Sequence, residues 1–233
     1  TKPPARACPS GRRTSTECSR SLARRIPDFA PVHELRLDQL PHEEGGAVRW
    51  DEVFGAPRPL RVEIGVGSST FLIEVAVRHP EFHYVGFEYS YKRVRKFLKK
   101  VEAAGVAGIR MLRVDASLAL ARIFASGSID RFYINHPDPW PKRRHEKKRF
   151  VSTKNAGTML ELLRPGGGIS LRTDFAAYAQ QMLEVLDATP GLINLAGKGS
   201  FALCPSESIS TIYESKFLKA GRQIYYLEYA KAP

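Results

Sequence analysis

The sequence predicts an α/β fold, a doubly wound and mostly parallel sheet with helices on both faces. Two observations carry that prediction. From Leu60 onward, short apolar runs of strand length alternate with amphipathic runs of helical period, the pattern of a parallel sheet sandwiched between helices. Several of those strand runs also end in a glycine or a carboxylate, at the corner where open α/β sheets bind ligands.

The elements follow in order. "LRVEIGV" (60–66) is a continuous apolar strand and "STFLIEVAVRH" (69–79) a helix; "FHYVGFE" (82–88) is the second strand. The next helix carries Val94, Phe97, Leu98 and Val101 at i, i+3, i+4 and i+7, one apolar face. "IRMLRV" (109–114) is a third strand, "ASLALARIFA" (116–125) a helix and "IDRFYIN" (129–135) a fourth strand. A helix near 151–163, a strand near 168–172 and a helix near 175–188 continue the alternation, and "RQIYYLEYAK" (222–231) reads as a last strand at an edge. Short crossovers in such sheets are right-handed, which leaves few topologies. The chain shows no internal repeat.

Before Leu60 the periodicity is weak. Residues 1–30 read as a basic, disordered arm, 31–59 as an N-terminal extension and 60–233 as the α/β domain. The whole chain of 233 residues carries a net charge of +12, which favours a polyanionic partner. About half of that excess sits in one end, where Lys2, Arg6, Arg12, Arg13, Arg20, Arg24 and Arg25 face only Glu17. Such an acid-poor segment fits a disordered basic arm better than a transit peptide, and it has no apolar core of a secretory signal. Three cysteines without a CxxC pair argue against a disulfide framework or a zinc site, and for a reducing, cytoplasmic setting. No apolar run reaches the roughly 18–20 residues that span a bilayer.

The candidate chemistry sits at the strand ends. In "EIGVGSS" (63–69), Gly65 and Gly67 allow a tight turn and close approach of a ligand to the backbone. Thr70 stands where a dinucleotide fingerprint wants a third glycine, whereas Glu63, two residues before the first glycine, fits a methyltransferase loop. Glu88 closes the second strand, and a carboxylate there holds ribose hydroxyls of either cofactor class. Asp115 closes the third, where it suits an adenine amine and can also cap the helix beginning near Ala116. "LRPGGGISL" (163–171) turns a helix into the next strand.

The most unusual segment is "INHPDPWPKRRHEKKR" (134–149). Pro137, Pro139 and Pro141 fix φ and remove backbone donors, so the corner is stiff and Asp138 is held in one place. If the strand order reverses beside the first strand, Asp138 faces the glycine loop across the switch point. The cations that follow suit phosphates, while Trp140 either stacks on a base or packs beneath the loop. The six cations of "YKRVRKFLKK" (91–100) read as a solvated helix face.

This segment resembles the signature of the bacterial tRNA (guanine-N7)-methyltransferase family, which usually reads near N-F-P-D-P-W-P-K-K-R-H. "EIG", "FE", "DA", "TDF" (173–175) and "TIYE" (211–214) agree in order and spacing from about Glu63 to Glu214. Two departures stand out: Ser69 and His136 replace a usual glycine and a usual phenylalanine. The resemblance implies a seven-stranded, Rossmann-like class I methyltransferase that uses S-adenosyl-L-methionine and no metal, acts on tRNA as a monomer or homodimer, and has no membrane association. It implies Glu63, Gly65, Gly67, Glu88, Asp115 and Asp138 at the cofactor, with Asp138 also catalytic. Lys142, Asp174, Thr211, Ile212, Tyr213 and Glu214 would then contact the guanine, and Arg144, His145, Glu146, Lys147, Lys148 and Arg149 the RNA. An NAD-dependent reductase and a non-catalytic RNA-binding protein are the competing readings.

Overall fold

The computed structural model describes residues 34–43 and 46–233, so the basic arm expected over 1–30 lies outside the described residues. Strands β2 (Leu60–Ile64), β3 (His83–Phe87), β4 (Ile109–Leu112), β5 (Ile129–Asn135) and β6 (Leu163–Thr173) alternate with α2 (Phe71–Arg78), α3 (Tyr91–Ala104), α4 (Ala116–Ile123) and α5 (Thr153–Leu162). α6 (Ala176–Asp187) follows, then β7 (Leu192–Asn194), α7 (Ile212–Lys219) and β8 (Tyr225–Lys231); β1 (Glu34–Leu35) and α1 (Trp50–Phe54) precede this run. The sheet order is β1-β4-β3-β2-β5-β6-β8-β7. Strands β1 to β6 pair in parallel, and β8 runs antiparallel to both β6 and β7.

Three expectations need correction. The sheet has eight strands among the described residues, not seven, because the two-residue β1 pairs with β4. So short a strand shows no period; its Glu34 carboxylate is held 2.8 Å from Arg113 Nε. β8 is an interior strand, since β7, only three residues long and partly exposed, takes the edge. β6 begins at Leu163, not near Gly168: Leu163 pairs with Ile129, the register shifts, and Gly168 then pairs with Arg131.

Alternation along β2 divides the interior. Leu60, Val62 and Ile64 enter the larger apolar cluster with residues of α4, α5 and α6, whereas Arg61 and Glu63 point to the opposite face. There α2 and α3 pack a second cluster against β3 and β4. The unforeseen α1 closes the first cluster: Trp50 stacks on Phe124 with centroids 5.1 Å apart, and its indole N–H donates to the Ile123 carbonyl at 3.1 Å. A five-residue helix is too short to announce itself by period.

On the polar face, buried charges replace hydrocarbon. Arg61 Nε lies 2.8 Å from Asp130 and its Nη1 3.2 Å from the Tyr133 hydroxyl. Arg172, fully buried, reaches Glu214 at 2.7 Å and the carbonyls of Ile209 and Glu207. This layer carries the segment 205–214 and the start of α7 onto the sheet beside the carboxyl ends of β5 and β6.

Candidate active site

Because β2 pairs with β3 on one side and β5 on the other, the strand order reverses between β2 and β5. A cleft of about 660 Å³ opens at that point along the carboxyl ends of the strands. Gly65, Gly67, Glu88, Asp115, Asp138, Asp174 and Tyr213 line it, together with Asn135, His136, Trp140, Phe217 and Arg222.

The glycine turn is built by hydrogen bonds to its neighbour. The N–H groups of Gly65 and Val66 both donate to the Phe87 carbonyl, at 2.8 and 3.0 Å. Gly65 and Gly67 have φ of +76° and +61°, a region that side chains with a Cβ avoid. Gly86 makes room beneath, since a Cβ there would stand 2.8 Å from Val66. Ser69 fits without a left-handed backbone: it is buried, and its hydroxyl accepts from the Phe71 N–H at 3.1 Å at the start of α2.

Glu88 ties two loops together. Its carboxylate accepts from the N–H groups of Gly67 at 3.0 Å and Ser90 at 2.8 Å. Asp115 caps α4 by accepting from the Ser117 N–H at 2.9 Å, an arrangement that occupies one oxygen. Lys100, on the helix read as a solvated face, donates to the Ser68 carbonyl at 2.5 Å and braces the glycine turn from α3.

Asp138 is exposed at the rim. The residues bracketing its corner, His136 and Trp140, have φ of +49° and +43°. Arg149 clamps the corner from below, donating to the Pro139 carbonyl at 2.8 Å and to Gln181 on α6 at 2.6 Å. Trp140 is half-buried, stands edge to face with His145 at 5.7 Å and lies 4.7 Å under the Lys148 ammonium. It thus packs within the basic segment while one side lines the cleft.

Several expected site residues lie elsewhere. Glu63 does not line the cleft: it is fully buried and accepts from Asn135 at 2.9 Å. Burial raises its pKa to about 8, against the opposing pull of Asn135 and Arg172. Glu214 is buried, bonded to Arg172, to the Tyr226 hydroxyl and to the Thr211 N–H. It forms a capping box with Thr211 at the start of α7, and both side chains are buried. Ile212 opens that helix, and Tyr213 reaches the cleft. Arg149 is buried by its clamp, with Glu146 3.6 Å from it. Lys142, Arg144, Lys147 and Lys148 are exposed, the last three on a 3-10 helix over Arg143–Lys148 with half-buried His145.

Asp174, after β6, lies 2.7 Å from Arg222 Nη1 and 3.9 Å from His136 Nδ1. Arg222, Phe217 and His136 escaped sequence reasoning as site residues. Arg222 reaches the cleft where β8 returns antiparallel beside β6, and Phe217 where Arg172 anchors the start of α7, both long-range events. His136 carried one signal, a polar residue at an otherwise apolar strand end.

Among the described residues no helix is long and apolar enough to cross a membrane, and no group of three or more His, Cys, Asp or Glu could hold a metal ion.

Residues 57–227 match the protein family described as "Putative methyltransferase". A tRNA (guanine-N(7)-)-methyltransferase of Xanthomonas campestris pv. campestris is 36% identical over 215 residues, 90% of this chain and 82% of that protein. The protein of the same name from Leifsonia xyli subsp. xyli is 36% identical over 223 residues, 96% of this chain and 93% of its own. Among solved structures, the aminoglycoside resistance methyltransferase NpmB1 has a TM-score of 0.55 at 14% identity, covering 78% of this chain and 92% of that one. A variant of the 16S rRNA (adenine(1408)-N(1))-methyltransferase of Catenulisporales acidiphilia gives 0.52 at 15% identity, over 83% and 98%. At such identities these two share the fold alone. With the glycine turn, the strand-end carboxylates and the P-D-P-W-P corner gathered in one cleft, and relatives matched over 82% and 93% of their length, the chain belongs to the bacterial tRNA (guanine-N(7)-)-methyltransferases.

Proposed function

We propose that this chain methylates N7 of a guanine in tRNA, the guanine at position 46 of the variable loop, using S-adenosyl-L-methionine. The observation that carries the reading is the position of Asp138. It stands on a stiff corner at the reversal of strand order, in one cleft with Glu88 and Asp115 and directly before an exposed basic segment.

The cleft fits the cofactor. A Cβ on Gly65 would meet nothing within 4 Å, and one on Gly67 only the Gly65 carbonyl at 3.7 Å, so the turn leaves open space where a ligand can lie against the backbone. Glu88 would hold ribose hydroxyls, and Asp115 the adenine amine with the oxygen not used for capping. When bound, the cofactor supplies an activated methyl on a cationic sulfonium. Guanine N7 has an in-plane lone pair and needs no general base, so the protein's contribution is alignment and electrostatics. Asp138, near both partners, favours the cation as charge passes toward the purine. Glu63 acts one step back, holding Asn135 at the cleft wall. Asp174 accepts from the guanine N–H groups, Tyr213 borders the base, and Lys142, Arg144, Lys147 and Lys148 hold phosphates.

We assign catalysis to residues 60–233, with 31–59 bracing them and 1–30 a basic arm. A cytoplasmic enzyme, monomeric or homodimeric, fits this reading. The test is mass spectrometry of tRNA nucleosides after incubation with S-adenosylmethionine. Wild type is expected to form 7-methylguanosine, and Asp138→Ala to form none while melting at the wild-type temperature. Wild-type yield from the variant would refute the role given to Asp138, and no product from wild type would refute the function.

A further inference from the structure

At the end of β5 stands a polar side chain with no task in the scheme above. The His136 side chain is 4% exposed yet lines the cleft, and neither ring nitrogen has a hydrogen-bond partner. Its backbone is left-handed, at φ +49°, and its N–H is fixed on the Arg172 carbonyl at 2.8 Å. A buried imidazole without partners and a non-glycine residue in this region are each unfavourable. A purely structural residue here would be an apolar ring, since the imidazole packs edge to face on Phe217 at 5.3 Å and beside Tyr213 at 6.3 Å.

The chemistry of the unsatisfied nitrogens narrows the ligand. Burial holds the imidazole neutral, its pKa lowered to about 4 although Glu214 and Asp174 pull the other way. A neutral imidazole offers one N–H donor and one acceptor, and a carboxylate offers acceptors only. Asp174 Oδ1 lies 3.9 Å from His136 Nδ1, too far for a hydrogen bond, so the two groups border one space side by side. Arg222 engages the other carboxylate oxygen, Oδ2, at 2.7 Å. A donor beside an acceptor complements O6 beside N1–H on guanine and clashes with the amine beside N1 on adenine. Both contacts lie on the edge that leaves N7 open.

We propose that His136 is a specificity residue that touches the target base, its ring N–H donating to guanine O6 while Asp174 accepts from N1–H. The inference rests on the guanine-N7 reading of the cleft. Neutrality matters to it, because an imidazolium would oppose the positive charge that develops on the purine. His136 thereby converts an apolar wall into a base-reading one.

The test is a two-by-two comparison of kcat/KM. Wild type and His136→Phe are each given tRNA carrying guanosine or 6-thioguanosine at the target, sulfur being the poorer acceptor. One neutral hydrogen bond predicts that wild type loses about three- to tenfold on the thio substrate. His136→Phe should lose a similar factor on guanosine, mainly in KM, and nothing more on the thio substrate. His136→Asn, which keeps an N–H, should recover part of the loss. Equal thio effects in wild type and in a His136→Phe that melts normally would overturn the inference alone. A wild type that leaves the guanosine substrate unmethylated would overturn the functional reading and the inference with it.

Discussion

Glu214→Ala separates a role in holding the fold from a role in holding the base. In the wild type, the Glu214 side chain is 6% exposed and the Arg172 side chain 0% exposed, with Oε2 2.7 Å from Arg172 Nη1. The same carboxylate accepts from the Tyr226 hydroxyl at 2.5 Å and from the Thr211 N–H at 3.2 Å. Alanine leaves the guanidinium with only the carbonyls of Ile209 and Glu207. Removing one partner of a buried ion pair costs about 3–5 kcal/mol, because the other charge stays behind. For a domain of this size each kcal/mol lowers Tm by roughly 2–4 °C, so a fall of about 6–20 °C is expected. Glu214→Gln, which keeps one acceptor oxygen for Arg172 and loses the charge, should fall less. Thermal melts followed by circular dichroism read this directly, with tRNA KM measured below the transition. A variant that melts within about 3 °C of wild type, against the scale above, yet shows a raised KM would refute the structural assignment and return Glu214 to the substrate pocket.

Other consequences can be checked in parallel. Burial raises the Glu63 pKa from 4.5 to about 8, so the folded state prefers the protonated acid and its contribution to stability, full below pH 4.5, is lost as pH rises through 8. Glu63→Gln should flatten that slope of about 1.4 kcal/mol per pH unit and be more stable than wild type by a few kcal/mol at pH 8; urea melts that stay parallel from pH 5 to 8 would contradict it. Replacing Arg144, Lys147 and Lys148 by glutamine should weaken tRNA binding and flatten its salt dependence, by about 0.7–0.9 log units for each phosphate no longer neutralised; an unchanged slope in filter binding would make them ordinary surface. Adding Arg149→Gln should act differently, lowering Tm, because that side chain clamps the Asp138 corner.

The central sheet and the cleft are legible in the sequence because local period and strand ends dictate them. Five strand runs from Leu60 map onto β2 to β6, and Glu88, Asp115 and Asp138 come together because each follows a strand that enters the same crevice. What stays hidden is short or long-range. β1, α1 and β7 are two, five and three residues long, below any readable period, and Arg222 meets Asp174 only through the antiparallel return of β8. Glu63 stands apart for a different reason. Alternation along β2 puts it on the same face as Arg61, inside the polar layer, whereas the motif alone points to the cofactor. Thr211-x-x-Glu214 is a capping-box pattern in its own right, so the helix it opens is visible in the sequence once the motif is weighed as local structure.

The left-handed residues on either side of Asp138 bear on any effort to harden this protein against heat. A left-handed backbone at a residue other than glycine costs roughly 1–2 kcal/mol, and His136 and Trp140 both carry it, at φ +49° and +43°. Glycine at either site removes that strain, so a library screened for heat tolerance alone would find these positions acceptable. The same exchange adds backbone freedom on both flanks of Asp138 and strips away the rings that fix the corner. Selection for stability and selection for methyl transfer therefore pull apart at two positions only four residues apart, and a thermostable lineage of this enzyme should keep both side chains only if activity is screened at every round.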